Sequence, residues 1–243
     1  CCHYGKTPPC TELLIEKGIK RVVIGAVDPN PKVGGGGVQR LKEAGIEVTV
    51  GVLEEECRRL NEVFFHYIEK RRPFVVMKTA MSLDGKTMVG VETVIMDDPE
   101  LTCRLEGGKN PVRIILDSSL RIPKESRALT DQQRNTTIIA CTDSASSGKA
   151  AELEAAGGRV LRCRSFGDRV DLEDLMEKLG ESAIDSILLE GGSAVNDSAF
   201  SSGIVSKIIL YVAPKIIGGE KSKTFVGGKG IDRLDQAYPI RVE

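Results

Sequence analysis

Short apolar runs rich in β-branched residues alternate with helical stretches that end on glycine, and this alternation limits the chain to few architectures. Glu12 to Lys17 has helical spacing, stopped at Gly18, with Lys17 complementing the helix C-terminus. Arg21 to Val27 follows as a buried strand, then an Asp28-Pro29-Asn30-Pro31 loop and a flexible turn over Gly34 to Gly37. Val38 to Ala44 is predicted as a second helix, stopped at Gly45, and Ile46 to Val50 as a second strand. Helix, strand, helix, strand is the pattern of a parallel sheet covered by helices, an α/β fold.

A long amphipathic helix is predicted over Glu54 to Lys70, and its basic end meets Pro73. A domain boundary is placed there, giving 1–72 and 73–243. The second part repeats the α/β pattern. Strands are predicted at Phe74 to Thr79, Pro111 to Leu116, Thr136 to Cys141, Arg159 to Arg162, Ser186 to Leu189 and Ile208 to Val212. Helices are predicted at Ala150 to Ala156 and Leu172 to Leu179, with another opening at Ser193. One join breaks the pattern. Asp84-Gly85-Lys86-Thr87 runs straight into Met88-Val89-Gly90-Val91, with no room for the crossover that parallel strands need. A segment is expected to be missing at that join.

The bulk chemistry excludes several function classes. A net charge of -1 gives no field to recruit nucleic acid or a membrane surface. Aromatic residues make up 4% of the 243-residue chain, with no Trp, which leaves little for base stacking. No apolar run is long enough to span a bilayer. Seven cysteines, an odd and scattered set, argue against a disulfide framework and for a reducing cytosol.

The densest chemistry lies in the first ten residues, Cys1-Cys2-His3-Tyr4-Gly5-Lys6-Thr7-Pro8-Pro9-Cys10. Thiolates beside a Pro-Pro turn suit zinc, which takes four tetrahedral ligands, three of them from protein at a catalytic site. The spacing alone is equally compatible with a structural zinc or with no metal.

That cluster, followed by Asp28-Pro29-Asn30-Pro31, resembles the deaminase half of the bifunctional riboflavin-biosynthesis deaminase/reductase family, RibD or RibG. Lys78 with Ser82-Leu83-Asp84-Gly85-Lys86, then Asp97-Asp98-Pro99-Glu100-Leu101-Thr102-Cys103-Arg104, resemble its reductase half. So do Glu190-Gly191-Gly192-Ser193-Ala194-Val195 and Ala213-Pro214-Lys215-Ile216-Ile217-Gly218-Gly219, in the same order. The resemblance implies part of a cytidine-deaminase-like domain followed by a dihydrofolate-reductase-like domain. It also implies pyrimidine ribonucleotide substrates, a cytoplasmic location and a homo-oligomer. Against the family pattern, the chain starts at the first zinc cysteine, without the upstream His-x-Glu element, and stops before a last strand.

By this resemblance Cys1 and Cys10 ligate Zn2+, while His3, Lys6, Thr7, Asp28 and Asn30 contact the diaminopyrimidine ribonucleotide to be deaminated. The reductase half uses NADPH to reduce the ribosyl group of 5-amino-6-(5-phosphoribosylamino)uracil to ribityl. Its implied catalytic group is Lys78, Asp97 and Glu190. Met81, Gly90, Thr93, Asp97, Ser118, Gly191, Gly192, Ser193, Ala194, Val195 and Asn196 are implied cofactor contacts. Ser82, Asp84, Leu101, Arg104 and Glu190 are implied substrate contacts. Glu92 stands where the family pattern has glycine, and its carboxylate would repel cofactor phosphates.

Overall fold

The computed structural model describes the chain except residues 1, 3, 5, 6, 32, 83–97, 99, 100, 104, 105, 131–135, 220, 221, 223 and 243, and the side chains of Met81 and Ser82. The chain divides into two compact units. One holds Cys1–Phe74 with Leu179–Ser186, the other Val75–Lys178 with Ile187–Glu243. Among the described residues no helix is long and apolar enough to cross a membrane.

The first unit runs α1 (Cys10–Glu16), β1 (Arg21–Ile24), α2 (Gly36–Glu43), β2 (Glu47–Val50), α3 (Glu54–Leu60) and α4 (Glu62–Lys70). Strands β1 and β2 pair in parallel, Arg21 opposite Glu47 and Ile24 opposite Val50. The helix predicted over Glu54 to Lys70 is in fact two. At Asn61 the backbone leaves helical geometry (φ -114°, ψ 27°), and the side-chain amide donates to the Cys57 carbonyl at 2.9 Å. A short polar side chain that competes for a backbone carbonyl ends one helix and lets the next begin.

The second unit contains β3 (Phe74–Ser82, from Val75 onward), β4 (Arg113–Leu116), α5 (Arg127–Thr130), β5 (Thr137–Thr142), α6 (Ser147–Ala155), β6 (Gly158–Cys163), a short hairpin of β7 (Ser165–Phe166) and β8 (Arg169–Val170), and α7 (Leu172–Glu181, to Lys178). After these come β9 (Ser186–Leu189), α8 (Ser193–Ser201) and β10 (Val205–Ala213). Strands β4, β5 and β6 form one parallel sheet with β5 central. Every residue of β5 is buried, as expected of a parallel strand covered on both faces. Around it pack Ile115, Leu120, Ile122, Leu129, Ala150 and Leu153. A second three-stranded sheet has the order β10-β3-β9, with β10 and β3 parallel.

Helix α7 shows why its pattern was readable. Leu172, Leu175, Met176 and Leu179 recur at helical spacing, and all are buried. Its Asp174 is buried too, and accepts from the Arg164 N–H at 2.9 Å and from Lys178 Nζ at 2.8 Å. Burial alone would push the Asp174 carboxyl up, but these donors outweigh it and hold the group below the ordinary carboxylate value. Further along α7, in the first unit, the Tyr67 hydroxyl donates to the Gly180 carbonyl at 3.0 Å. A Cβ on Gly180 would lie 2.0 Å from the Arg71 carbonyl oxygen, so only glycine lets these backbones meet.

Gly180→Ala is therefore expected to cost about 3 kcal/mol, read as a lower urea midpoint of unfolding. Asp174 has a depressed pKa in the folded state. Its stabilisation is full above the ordinary carboxylate value and is lost as pH falls below that value through the depressed folded one. Asp174→Asn should lose about 2 kcal/mol near neutral pH and progressively less as pH falls below the ordinary carboxylate value, shown by urea titrations across that range.

Candidate functional site

In the second unit, two neighbouring strands bring Lys78 and Glu190 together. Lys78 stands on β3, and Glu190 is the residue that follows β9. The Lys78 Nζ donates to Glu190 Oε1 at 2.7 Å, and the two side chains keep 43% and 53% of their surface in solvent. This hydrogen bond first, and then the Glu190 charge, raise the Lys78 pKa above the ordinary lysine value, with nearby Tyr211 adding a smaller push. So exposed an ion pair adds little to stability. What it offers is a fixed ammonium and a fixed carboxylate open to a ligand.

Glu190 leads through Gly191 and Gly192 into α8. Gly192 is the N-cap, in extended geometry, and no side chain caps the helix. The N–H groups of Val195 and Asn196 both donate to the Gly192 carbonyl at 3.0 Å, so of this turn Ser193 and Ala194 have the N–H groups left to meet an anion. The structure gives three of the expected cofactor contacts further partners within the protein. A Cβ on Gly191 would lie 2.7 Å from Val195 Cγ1, so close packing against α8 requires glycine here. Val195 fills that contact. Asn196, expected to touch the cofactor, is 2% exposed, and its side-chain amide donates to the Phe225 carbonyl at 2.7 Å. It ties the Phe225 segment to α8, as does the Gly227 N–H donating to the Ser193 carbonyl at 2.9 Å.

Ser118 lies in the turn after β4. Its carbonyl accepts from the Thr142 N–H at 3.1 Å and the Thr142 hydroxyl at 2.9 Å, which leaves its own hydroxyl as the group a ligand would meet. Leu101 is exposed, in the left-handed region at φ 50°, and its carbonyl accepts from Arg113 Nε at 3.4 Å. Met81 and Ser82 lie opposite Val212 and Ala213 in the β3–β10 ladder. Asp84, Gly90, Glu92, Thr93, Asp97 and Arg104 lie outside the described residues, as does the join at Thr87–Met88.

In the first unit, Asp28 and Asn30 do come together. Asp28 Oδ1 accepts from the Asn30 N–H at 2.9 Å, the Asx turn that an Asp-Pro-Asn sequence favours. Thr7 is exposed, and Cys10 is exposed at the start of α1. Cys2 turns its thiol to the Val33 carbonyl at 3.7 Å. Cys1, His3 and Lys6 lie outside the described residues. Among the described residues, no three His, Cys, Asp or Glu side chains gather closely enough to hold a metal ion. Of the two expected zinc ligands, Cys10 is described and Cys1 is not.

Two supports escaped the sequence reading. Asp98 Oδ1 accepts from the Ser126 hydroxyl at 2.9 Å and the Arg127 N–H at 2.8 Å, capping α5 from a distance in sequence. Buried Arg113 donates to the Ala128 carbonyl at 2.7 Å as well as to Leu101, tying the Leu101 loop to α5. Both contacts are long-range, and no local pattern announces them.

The RibD C-terminal domain family matches residues 87–241. The riboflavin biosynthesis protein RibD of Actinobacillus pleuropneumoniae is 45% identical, over all of this chain and 72% of that protein. The matched span is 272 residues against the 243 of this chain, 29 more. Among solved structures, Acinetobacter baumannii RibD (form 1) aligns with a TM-score of 0.83 at 29% identity, covering 99% of this chain and 73% of that one. A Thermotoga maritima protein described as a diaminohydroxyphosphoribosylaminopyrimidine deaminase/5-amino-6-(5-phosphoribosylamino)uracil reductase aligns with a TM-score of 0.77 at 34% identity, covering 98% and 71%.

Since Glu190 holds the Lys78 proton, Glu190→Gln should lower the Lys78 pKa towards the ordinary 10.5, followed by NMR titration of a 15N-labelled Nζ.

Proposed function

The chain belongs to the RibD family, and from that premise we propose that its second unit is an NADPH-dependent reductase of riboflavin biosynthesis. Its substrate in this reading is 5-amino-6-(5-phosphoribosylamino)uracil, the pyrimidine ribonucleotide named for the Thermotoga maritima relative. The carrying observation is the solvent-open Lys78–Glu190 pair, one residue from the glycines that lead into α8.

NADPH, when bound, supplies hydride to the anomeric carbon of the ring-opened substrate. The uncapped start of α8 suits its diphosphate, with Ser193 and Ala194 offering backbone N–H groups. Met81, Gly90, Thr93, Ser118 and Gly192 are proposed as further cofactor contacts. Lys78, charged through neutral pH, donates to substrate oxygens as the ribose ring opens. Glu190 keeps that ammonium oriented and accepts from a ribose hydroxyl. Asp97 is proposed as a proton-handling partner, and Ser82, Asp84, Leu101 and Arg104 as substrate contacts, Arg104 by its planar fork on the phosphate.

The first unit is proposed as the C-terminal part of a deaminase domain. His3, Lys6, Thr7, Asp28 and Asn30 would face its pyrimidine ribonucleotide. With Cys1 outside the described residues, no deamination step is derived through the metal.

Following NADPH oxidation by absorbance tests the reading. The chain should oxidise NADPH only with the deaminated pyrimidine present. Lys78→Ala should lower kcat/KM on the order of 100-fold, the usual size of a lost charge-stabilising donor, while NADPH still binds. Turnover at the unsubstituted rate would remove Lys78 from the site.

A further inference from the structure

In the β3–β10 ladder Lys78 lies opposite Ile209, and Ala80 opposite Tyr211. Side chains alternate along a strand, so Lys78, Ala80, Ile209 and Tyr211 share one face. The other face of β3 carries Val75 and Met77, which are buried. The shared face is open: Tyr211 is 56% exposed and Ile209 39%. Across β3 from them stands Glu190, bound to Lys78. A half-apolar floor, one aromatic ring and one fixed ion pair thus lie together across β10, β3 and the end of β9. Tyr211 and Lys78 are diagonal neighbours in the ladder, within reach of an aromatic and a long side chain.

A flat ring laid on Tyr211 and Ile209 turns its edge to Lys78 and Glu190. That edge meets an ammonium donor and a carboxylate acceptor side by side. A pyrimidinedione edge alternates C=O and N–H, and matches both.

We infer that Tyr211 is the stacking platform for the pyrimidinedione ring of the substrate, with the ring's polar edge towards the Lys78–Glu190 pair. The inference rests on the reductase reading and adds to it a residue that fixes substrate position and specificity.

Calorimetric titration of the full chain with 5-amino-6-(5-phosphoribosylamino)uracil, and separately with NADPH, tests it. Tyr211→Ala should weaken pyrimidine binding on the order of 10-fold or more, the loss of one ring stack, and leave the NADPH affinity within about twofold. Tyr211→Phe keeps the ring and should stay within about threefold for the pyrimidine. In steady state the loss should fall on KM rather than kcat. Pyrimidine binding by Tyr211→Ala equal to the unsubstituted chain overturns the inference and leaves the reductase reading standing. So does a loss confined to NADPH, which would make the ring a cofactor platform. An unsubstituted chain that binds NADPH and no pyrimidine overturns the reductase reading, and this inference with it.

Discussion

Parallel strand pairing is the constraint on which the rest depends. A parallel strand cannot be reached by a hairpin, so each must be fed by a crossover, and crossovers cover the sheet with helices. That is why β5 is buried along its whole length and why its sequence is a continuous apolar run ending in threonines. It is also why the chain reads as strands separated by glycine-stopped helices. The site inherits its form from the same constraint. With Val75 and Met77 committed to the core, the alternate residues of β3 face the other way, and one of them is Lys78.

The Lys78–Glu190 pair shows how such a sheet presents charge. The two residues are far apart in sequence and reach each other only because β3 and β9 are neighbours. Left in solvent, the pair escapes the desolvation cost that burial would impose. It is weak as a structural tie and well suited to change partners when a ligand arrives. The support lies behind it, in buried contacts. Met77 and Val75 anchor β3, and Asn196 locks the start of α8 to the Phe225 segment.

Periodicity made much of the fold legible. Ser186–Leu189 was placed residue for residue, and α7 was recognisable from its four buried apolar positions. Boundaries slipped where tertiary contact decided them. β1 stops at Ile24 rather than Val27, and β10 begins at Val205, three residues before the apolar run suggested. The helix break at Asn61 was missed because the amphipathic pattern continues across it, while one side-chain amide ends the hydrogen-bonded ladder. The site was legible differently. Lys78 and Glu190 came from motif resemblance, since no local rule predicts that residues on separate strands will pair. Tyr211 was passed over because it sits in an apolar strand, where an aromatic residue reads as core. Its openness is known only once the register is known.

Asn196 shows what geometry adds to a motif. A glycine pair before a helix suggests an anion site, and every residue of the following turn then looks like a ligand contact. Geometry divides that turn by hydrogen-bond accounting. Two N–H groups already have the Gly192 carbonyl, and the Asn196 amide has the Phe225 carbonyl. Among the backbone N–H groups of that turn, those of Ser193 and Ala194 remain for a ligand. The join at Thr87–Met88 is the complementary case. There the sequence alone shows too little chain for the crossover that parallel strands need. A crossover takes a dozen or more residues.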